Sequence, residues 1–186
     1  MKANNFIKKY LLLLARNRDP KAFAQIYDLY VDQIYRFIYF KIYEKDEAQD
    51  LTSEVFLKAW QYISEGNVVE NLNALFYQIA RNLVIDYYRE KKNREMLVEN
   101  EADFESIEAV DDSQLTKIEL KIEADKVVDQ LINLKDEYKE VVILRYVENF
   151  SVKEIAEIVG KKKGNVRIIL FRALSALKDL MGEKNE

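Results

Sequence analysis

Hydrophobic residues recur along most of this chain at intervals of three and four, the period of a helix with one face pressed on a core. Asp19 to Tyr30 begins with Asp at a cap position and Pro at the first helical position, and Phe23, Ile26, Tyr27 and Tyr30 form its apolar stripe. A second helix is predicted over 31–43 from Ile34, Tyr35, Ile38 and Ile42. A third is predicted over 46–63, opening on Asp46 and Gln49 in capping-box spacing and carrying Leu51, Val55, Ala59 and Tyr62 on one side. After the Gly- and Asn-containing loop Ser64 to Asn71, a fourth spans 72–92, with Leu75, Phe76, Ile79, Leu83 and Tyr87 inward. Periodicity lapses from Glu95 to Asp125. It returns at Lys126 with Val127, Val128, Leu131 and Leu134, then over Asp136 to Glu148 with Tyr138, Val141, Val142, Leu144 and Tyr146.

The last stretch has the most specific punctuation. Ser151 and Glu154 stand in capping-box spacing, Ile155, Ala156 and Val159 form a short apolar face, and Gly160 sits where the chain can turn through positive φ. A second helix from Lys163 carries Val166, Leu170, Ala173, Leu174 and Leu177 inward. A short helix, a tight turn and a second helix are the plan of a helix-turn-helix, and Lys161, Lys162, Lys163 and Arg167 gather where a DNA reader meets phosphates. The same pattern also fits an αα-hairpin in a bundle.

Composition narrows the classes. The 186 residues include four Gly, one Pro, no Cys and no His. Few breakers and almost no alternation predict an all-α protein, two small helical domains joined by an acidic linker, the second ending in the helix-turn-helix. Without Cys there are no disulfides or thiolate metal sites, and without His the commonest general base and metal ligand are missing, which lowers the case for an enzyme. No run of about 18 apolar residues is present to span a membrane. The apolar run from Tyr10 to Ala15 is too short for a signal peptide and is followed at once by charge, so a cytoplasmic location is expected. The net charge of −4 hides a division. Residues 1–94 carry 15 Lys and Arg against 12 Asp and Glu, residues 95–125 carry 2 against 11, and residues 126–186 carry 12 against 10. The acidity is confined to the linker, flanked by two mildly basic domains.

Two helical faces stand out as candidate surfaces. On the 72–92 helix, Tyr77, Arg81, Tyr88 and Lys92 fall together opposite Ile79. Interleaved aromatic and basic side chains suit a single-strand binder, since bases stack on rings while cations hold the backbone, and they equally suit an ordinary wet helix face. Asn82 and Asp86, one turn apart, fit either a cap for a neighbour or a hydrogen bond to a base. On the 46–63 helix, Asp50 and Glu54 read by default as a solvated acidic face.

Two separated sets of motifs resemble one family, the bacterial RNA polymerase sigma factors of the sigma-70 type, in their compact extracytoplasmic-function group. The first half carries DPKAFAQIYDLYVDQIYRF, DEAQDLTSEVFLKAW and IARNLVIDYYR; the second carries LKDEYKEVVILRYVENFSVKEIAEIVG and GNVRIILFRAL. The resemblance covers most of both domains. It implies that residues 1–94 form a region 2-like domain that binds the polymerase clamp and melts the minus-ten element, and that residues 126–186 form a region 4-like domain that reads the minus-thirty-five element. Asp50, Leu51, Glu54 and Phe56 match the polymerase-binding helix, on which Ser53 also falls. Asn82, Asp86 and Arg89 match the minus-ten helix, which Tyr77, Arg81, Tyr88 and Lys92 would extend, and the 64–71 loop matches the one that pockets a flipped base. Lys161, Lys162, Lys163, Asn165, Arg167, Ile168 and Arg172 fall on the minus-thirty-five reader.

The chain departs from the family pattern at several places. Ser53 stands where Gln is usual and Leu75 where Trp is usual. Lys162 replaces the usual Ser cap, and Ile168, Ile169 and Phe171 occupy positions that commonly hold Ser, Arg and His. Ile168 lies about 200° from Val166, on the face a groove would meet. An apolar side chain there can touch a thymine methyl or can be buried against an inhibitor or the first domain, and it cannot make the Arg-to-guanine bond. The expectation is a non-catalytic specificity subunit with core RNA polymerase, promoter DNA and an anti-sigma factor as partners, and with neither small-molecule substrate nor cofactor, polymerase supplying the catalytic metals. The alternatives are a helix-turn-helix regulator acting without polymerase and a helical interaction protein that has lost DNA binding.

Overall fold

The computed structural model describes residues 10–15, 17–98 and 131–182, with side chains described to Lys92 in the first domain and to Leu180 in the second. The first four residues of the expected linker, 95–98, continue the helix predicted over 72–92, and the rest of the linker and the start of the helix predicted from Lys126 lie outside the described residues. Among those described there are helices and no strand.

A short helix, α1 (residues 10–15), precedes α2 (Pro20–Ile42), α3 (Lys45–Ser64) and α4 (Leu72–Val98). The two helices expected over 19–30 and 31–43 are one. Asp19 caps its start, its carboxylate accepting from the amides of Lys21 at 2.9 Å and Ala22 at 3.4 Å, with Pro20 at the first position. No Gly or Pro interrupts the helix beyond Pro20, and the buried positions Ala22, Ile26, Tyr30, Ile34, Phe37 and Ile38 keep one phase through the expected break. Tyr43 ends the helix with φ 58°, its amide returning to the Tyr39 carbonyl. The start of α3 also differs. Glu44 is its cap residue without a side-chain bond, so Asp46 lies in the first turn, where it favours the helix dipole rather than closing a capping box.

These three long helices pack on each other around a cluster of rings. Phe56 lies 4.6 Å from Tyr27 and 5.0 Å from Phe76, Phe23 lies 4.9 Å from Trp60, and Tyr30 lies 4.9 Å from Phe76. Tilted contacts of this kind add to the gain from burial.

The second domain is built from α5 (Asp136–Val142), a π-helical turn (Ile143–Val147), α6 (Val152–Val159) and α7 (Lys163–Gly182). The capping box is present, with Ser151 Oγ accepting from the Glu154 amide and the Glu154 carboxylate accepting from the Ser151 amide. Gly160 closes α6 at φ 67°. Val166, Ile169, Leu170, Ala173 and Leu177 bury one face of α7 against the domain, with α5 as its main neighbour. Leu174, expected inward, is exposed, and so is Tyr146.

Candidate nucleic-acid interface

Three surfaces carry the residues singled out by sequence. On α3, Asp50, Ser53 and Glu54 are exposed, Leu51 is half-buried, and Phe56 is in the core, where it supports the helix instead of presenting a contact. Ser53 Oγ donates to the Gln49 carbonyl at 3.0 Å, and Glu54 pairs with Lys58 at 3.0 Å. Asp50, Leu51 and Glu54 face Leu83, Asp86, Tyr87 and Glu90 of α4 across a polar cleft. Asp86, which also pairs with Arg89 at 3.0 Å, thus stands on the side of α4 that faces α3. Asn82, Arg89 and Lys92 are exposed. The 64–71 loop turns at Gly66, φ 85°, and Val68 projects outward from it.

The α4 stripe is not the open surface that helical spacing suggests. Tyr77 is 0% exposed, Tyr88 is half-buried with its hydroxyl donating to the Lys41 carbonyl, and Arg81 faces α5. The second domain covers this face. Arg36 of α2 donates from Nε and Nη2 to the two oxygens of Glu148 at 2.8 and 2.9 Å, and the Tyr77 hydroxyl donates to the same carboxylate at 3.1 Å. The Glu148 side chain keeps only 2% of its exposure. The Tyr77 ring meets Phe150 edge-on at 5.0 Å and Phe37 of its own domain at 5.1 Å. Arg81 Nε stands 2.8 Å from Glu140, close as charges though not aligned as a hydrogen bond. Lys41 reaches the Asp136 carbonyl at 3.4 Å. Gln78 donates to the Glu157 carbonyl at 2.9 Å, and Asn71, which also caps α4, donates to the Glu157 carboxylate at 3.1 Å.

Charge is sorted across this contact: Arg36, Lys41 and Arg81 from the first domain meet Asp136, Glu140 and Glu148 from the second. The fork of Arg36 raises the affinity of its own guanidinium for a proton through the Glu148 bond. Burial pushes the Tyr77 hydroxyl far above its ordinary range, with the Glu148 charge adding to it, and raises Tyr88 to about 12. Both phenols are therefore neutral donors at any ordinary pH. The π turn places Glu148: its amide bonds to the Ile143 carbonyl at 3.0 Å, and Asn149, at φ 58°, turns the chain so that Phe150 follows into the interface. Sequence reasoning missed Arg36, Glu140, Glu148 and Phe150. The one signal for Arg36 was a lone cation inside the apolar run IYRFIYF.

The third surface is α7. Its first turn, Lys163, Gly164 and Asn165, is exposed, as are Arg167, Ile168, Phe171 and Arg172, while Ile169 is buried. Lys162 holds the cap position, its carbonyl accepting from the Val166 amide at 3.1 Å, and Lys161 pairs with Glu137 at 3.1 Å. Ile168 is covered by neither domain.

Comparison with known proteins meets this geometry at both domains. Residues 26–94 match the family Sigma-70 region 2, and residues 124–177 match Sigma-70, region 4. The chain is 31% identical over 166 residues to the ECF RNA polymerase sigma factor SigW of Bacillus subtilis, covering 86% of this chain and 89% of that one. It is 32% identical over 174 residues to the ECF RNA polymerase sigma factor BldN of Streptomyces coelicolor, covering 90% of this chain and 63% of that longer protein. Its fold matches the sigma factor RpoE solved with the anti-sigma factor NepR from Bartonella quintana, with a TM-score of 0.66 at 25% identity over 87% of this chain and 98% of that one. CnrH, solved with the cytosolic domain of CnrY, shares the fold at a TM-score of 0.71 and 18% identity, covering 95% and 98%. With both family domains in order, and with a relative of which it covers nearly the whole length, the chain belongs to the extracytoplasmic-function group of the sigma-70 family of bacterial RNA polymerase sigma factors.

Proposed function

We propose that this sigma factor, which directs transcription initiation with core RNA polymerase, starts from a closed form and must part its two domains to melt a promoter. Residues 1–94 act as the polymerase-binding and minus-ten arm and residues 126–186 as the upstream arm, with residues 95–125 between them. Asp50, Leu51, Ser53 and Glu54 meet the polymerase clamp over the buried Phe56. Tyr77, Arg81, Asn82, Asp86, Tyr88, Arg89 and Lys92 serve the minus-ten element, and the α7 cations with Asn165 and Ile168 serve the upstream element. Polymerase supplies the catalysis, so the chain is not itself an enzyme, and it works in the bacterial cytoplasm. An anti-sigma factor is the expected inhibitor, as the likeness to RpoE bound to NepR supports.

One observation carries the closed-form reading: the carboxylates Glu140 and Glu148 occupy Arg81, Arg36 and the Tyr77 hydroxyl, the groups a melted strand would otherwise engage. Bases stack on rings and phosphates pair with cations, and neither can reach this face while α5 and α6 lie on it. Because the chain has no Cys, a pair introduced at Asn71 and Glu157 can be joined by a short cleavable linker without side reactions. The joined protein should still bind core polymerase yet form no open complexes in purified transcription, and cleaving the linker should restore them. Open complexes from the joined protein would refute the need to part the domains. A plain helix-turn-helix regulator would bind its duplex equally well joined or free, without polymerase.

A further inference from the structure

The recognition helix turns two apolar side chains to solvent. Ile168 is 52% and Phe171 75% exposed, whereas Val166, Ile169, Leu170 and Ala173 beside them are buried. Three residues apart, the two share one face on successive turns. The charged residues near them in sequence are all cationic: from Gly160 to Lys178 the chain has no Asp or Glu, and it carries Lys161, Lys162, Lys163, Arg167, Arg172 and Lys178. Only Lys161 among these has an ion pair within the described residues.

A surface complementary to this one is anionic along its edges and offers small apolar knobs at its centre. The DNA major groove fits: phosphates line its rims, and the only apolar group on its floor is the thymine C5-methyl. We propose that Ile168 and Phe171 are specificity-determining residues of the upstream arm, which select thymine at the positions they face by packing on its methyl. This rests on the reading of α7 as the upstream reader. Hydrogen-bonding readout is then left to the polar neighbours Asn165 and Arg167, and the remaining cations hold phosphates whatever the sequence.

The test uses the holoenzyme of the full chain with core polymerase. Its preferred upstream duplex is first selected from a random pool, and each thymine is then replaced singly by deoxyuridine, which removes the methyl and nothing else. Burial of one methyl-sized group is worth about fourfold in affinity, so at one or two thymines the replacement should weaken binding about fourfold. Ile168→Ser or Phe171→Ser should bind the thymine duplex as weakly as the wild type binds the uracil one, and should no longer tell the two apart. Both residues are exposed, so the melting temperature should not move and misfolding is not confounded with the result. Arg167→Ala serves as the control for the underlying reading: it should weaken thymine and uracil duplexes alike. Equal affinity for uracil and thymine duplexes at every position, with Arg167→Ala still weakening both, overturns the methyl readout and leaves α7 a DNA reader. No duplex selected, and no effect of Arg167→Ala, overturns both and assigns the apolar pair to a protein partner.

Discussion

Glu148 shows how one side chain can hold two domains. It accepts both arms of the Arg36 fork and the Tyr77 hydroxyl while almost fully removed from water. Glu148→Ala would leave that phenol buried without its acceptor and the guanidinium without its counter-charge, a loss of about 1 to 3 kcal/mol. The loss falls on the contact between domains, so the expected outcome is a larger radius of gyration by small-angle scattering, with the helical content by circular dichroism unchanged. A compact variant would show that the apolar contact of Tyr77 with Phe150 suffices. Lys139 is a second informative residue. It is 5% exposed, its ammonium lies 5.2 Å over the Tyr43 ring, and desolvation lowers its pKa, aided by Lys41 and opposed by Asp136. A lowered pKa means that folding penalises the charged form, fully so below the folded pKa, with relief as pH rises toward the ordinary lysine value. Lys139→Met should therefore gain stability over the wild type at neutral pH, and the gain should shrink under alkaline conditions, as chemical denaturation at several pH values would show. At this scale the sequence read core positions such as Ile26, Phe76 and Val166 correctly, and Tyr77 incorrectly. Helical spacing places a side chain on a face. It does not say what covers that face, and here the cover comes from a residue 71 positions away.

The elements of the helix-turn-helix are set by local chemistry, and their boundaries were legible for that reason. Ser151 and Glu154 close a reciprocal cap within four residues, and Gly160 takes a left-handed conformation with open space around it. Gly160→Ala should thus meet no clash and cost about 1 kcal/mol from backbone strain alone, read as a fall in melting temperature, with Gly160→Asn less harmful. Ser151→Ala should cost a similar amount, about 1 kcal/mol. The harder boundaries were those with no local marker. Nothing between Pro20 and Ile42 stops a helix, so its division at Tyr30 had no physical cause, and Asp46 lost the cap of α3 to Glu44 although it had the right spacing. The π turn has no sequence signature at all. It begins within a run of buried residues, Lys139 to Leu144, and its consequence is the placement of Glu148.

At the scale of the whole molecule, fold class and the order of the two domains could be read from periodicity and family motifs, whereas the contact between the domains could not. Both domains are mildly basic in sum, so net charge argues that they repel. Only the structure shows that Asp136, Glu140 and Glu148 of the second domain stand opposite Arg36, Lys41 and Arg81, while Lys163, Arg167, Arg172 and Lys178 lie along α7. That sorting gives the two surfaces opposite responses to ionic strength. Added salt screens the partly exposed pairs of the domain contact and so favours opening, and it also weakens every phosphate contact of α7 and of the freed α4 face. Promoter opening should therefore pass through a maximum as salt is raised, rather than fall throughout. Loss of the Glu148 carboxylate should remove the rising limb and leave the falling one, so that the ion atmosphere of the cell acts on this factor from two directions at once.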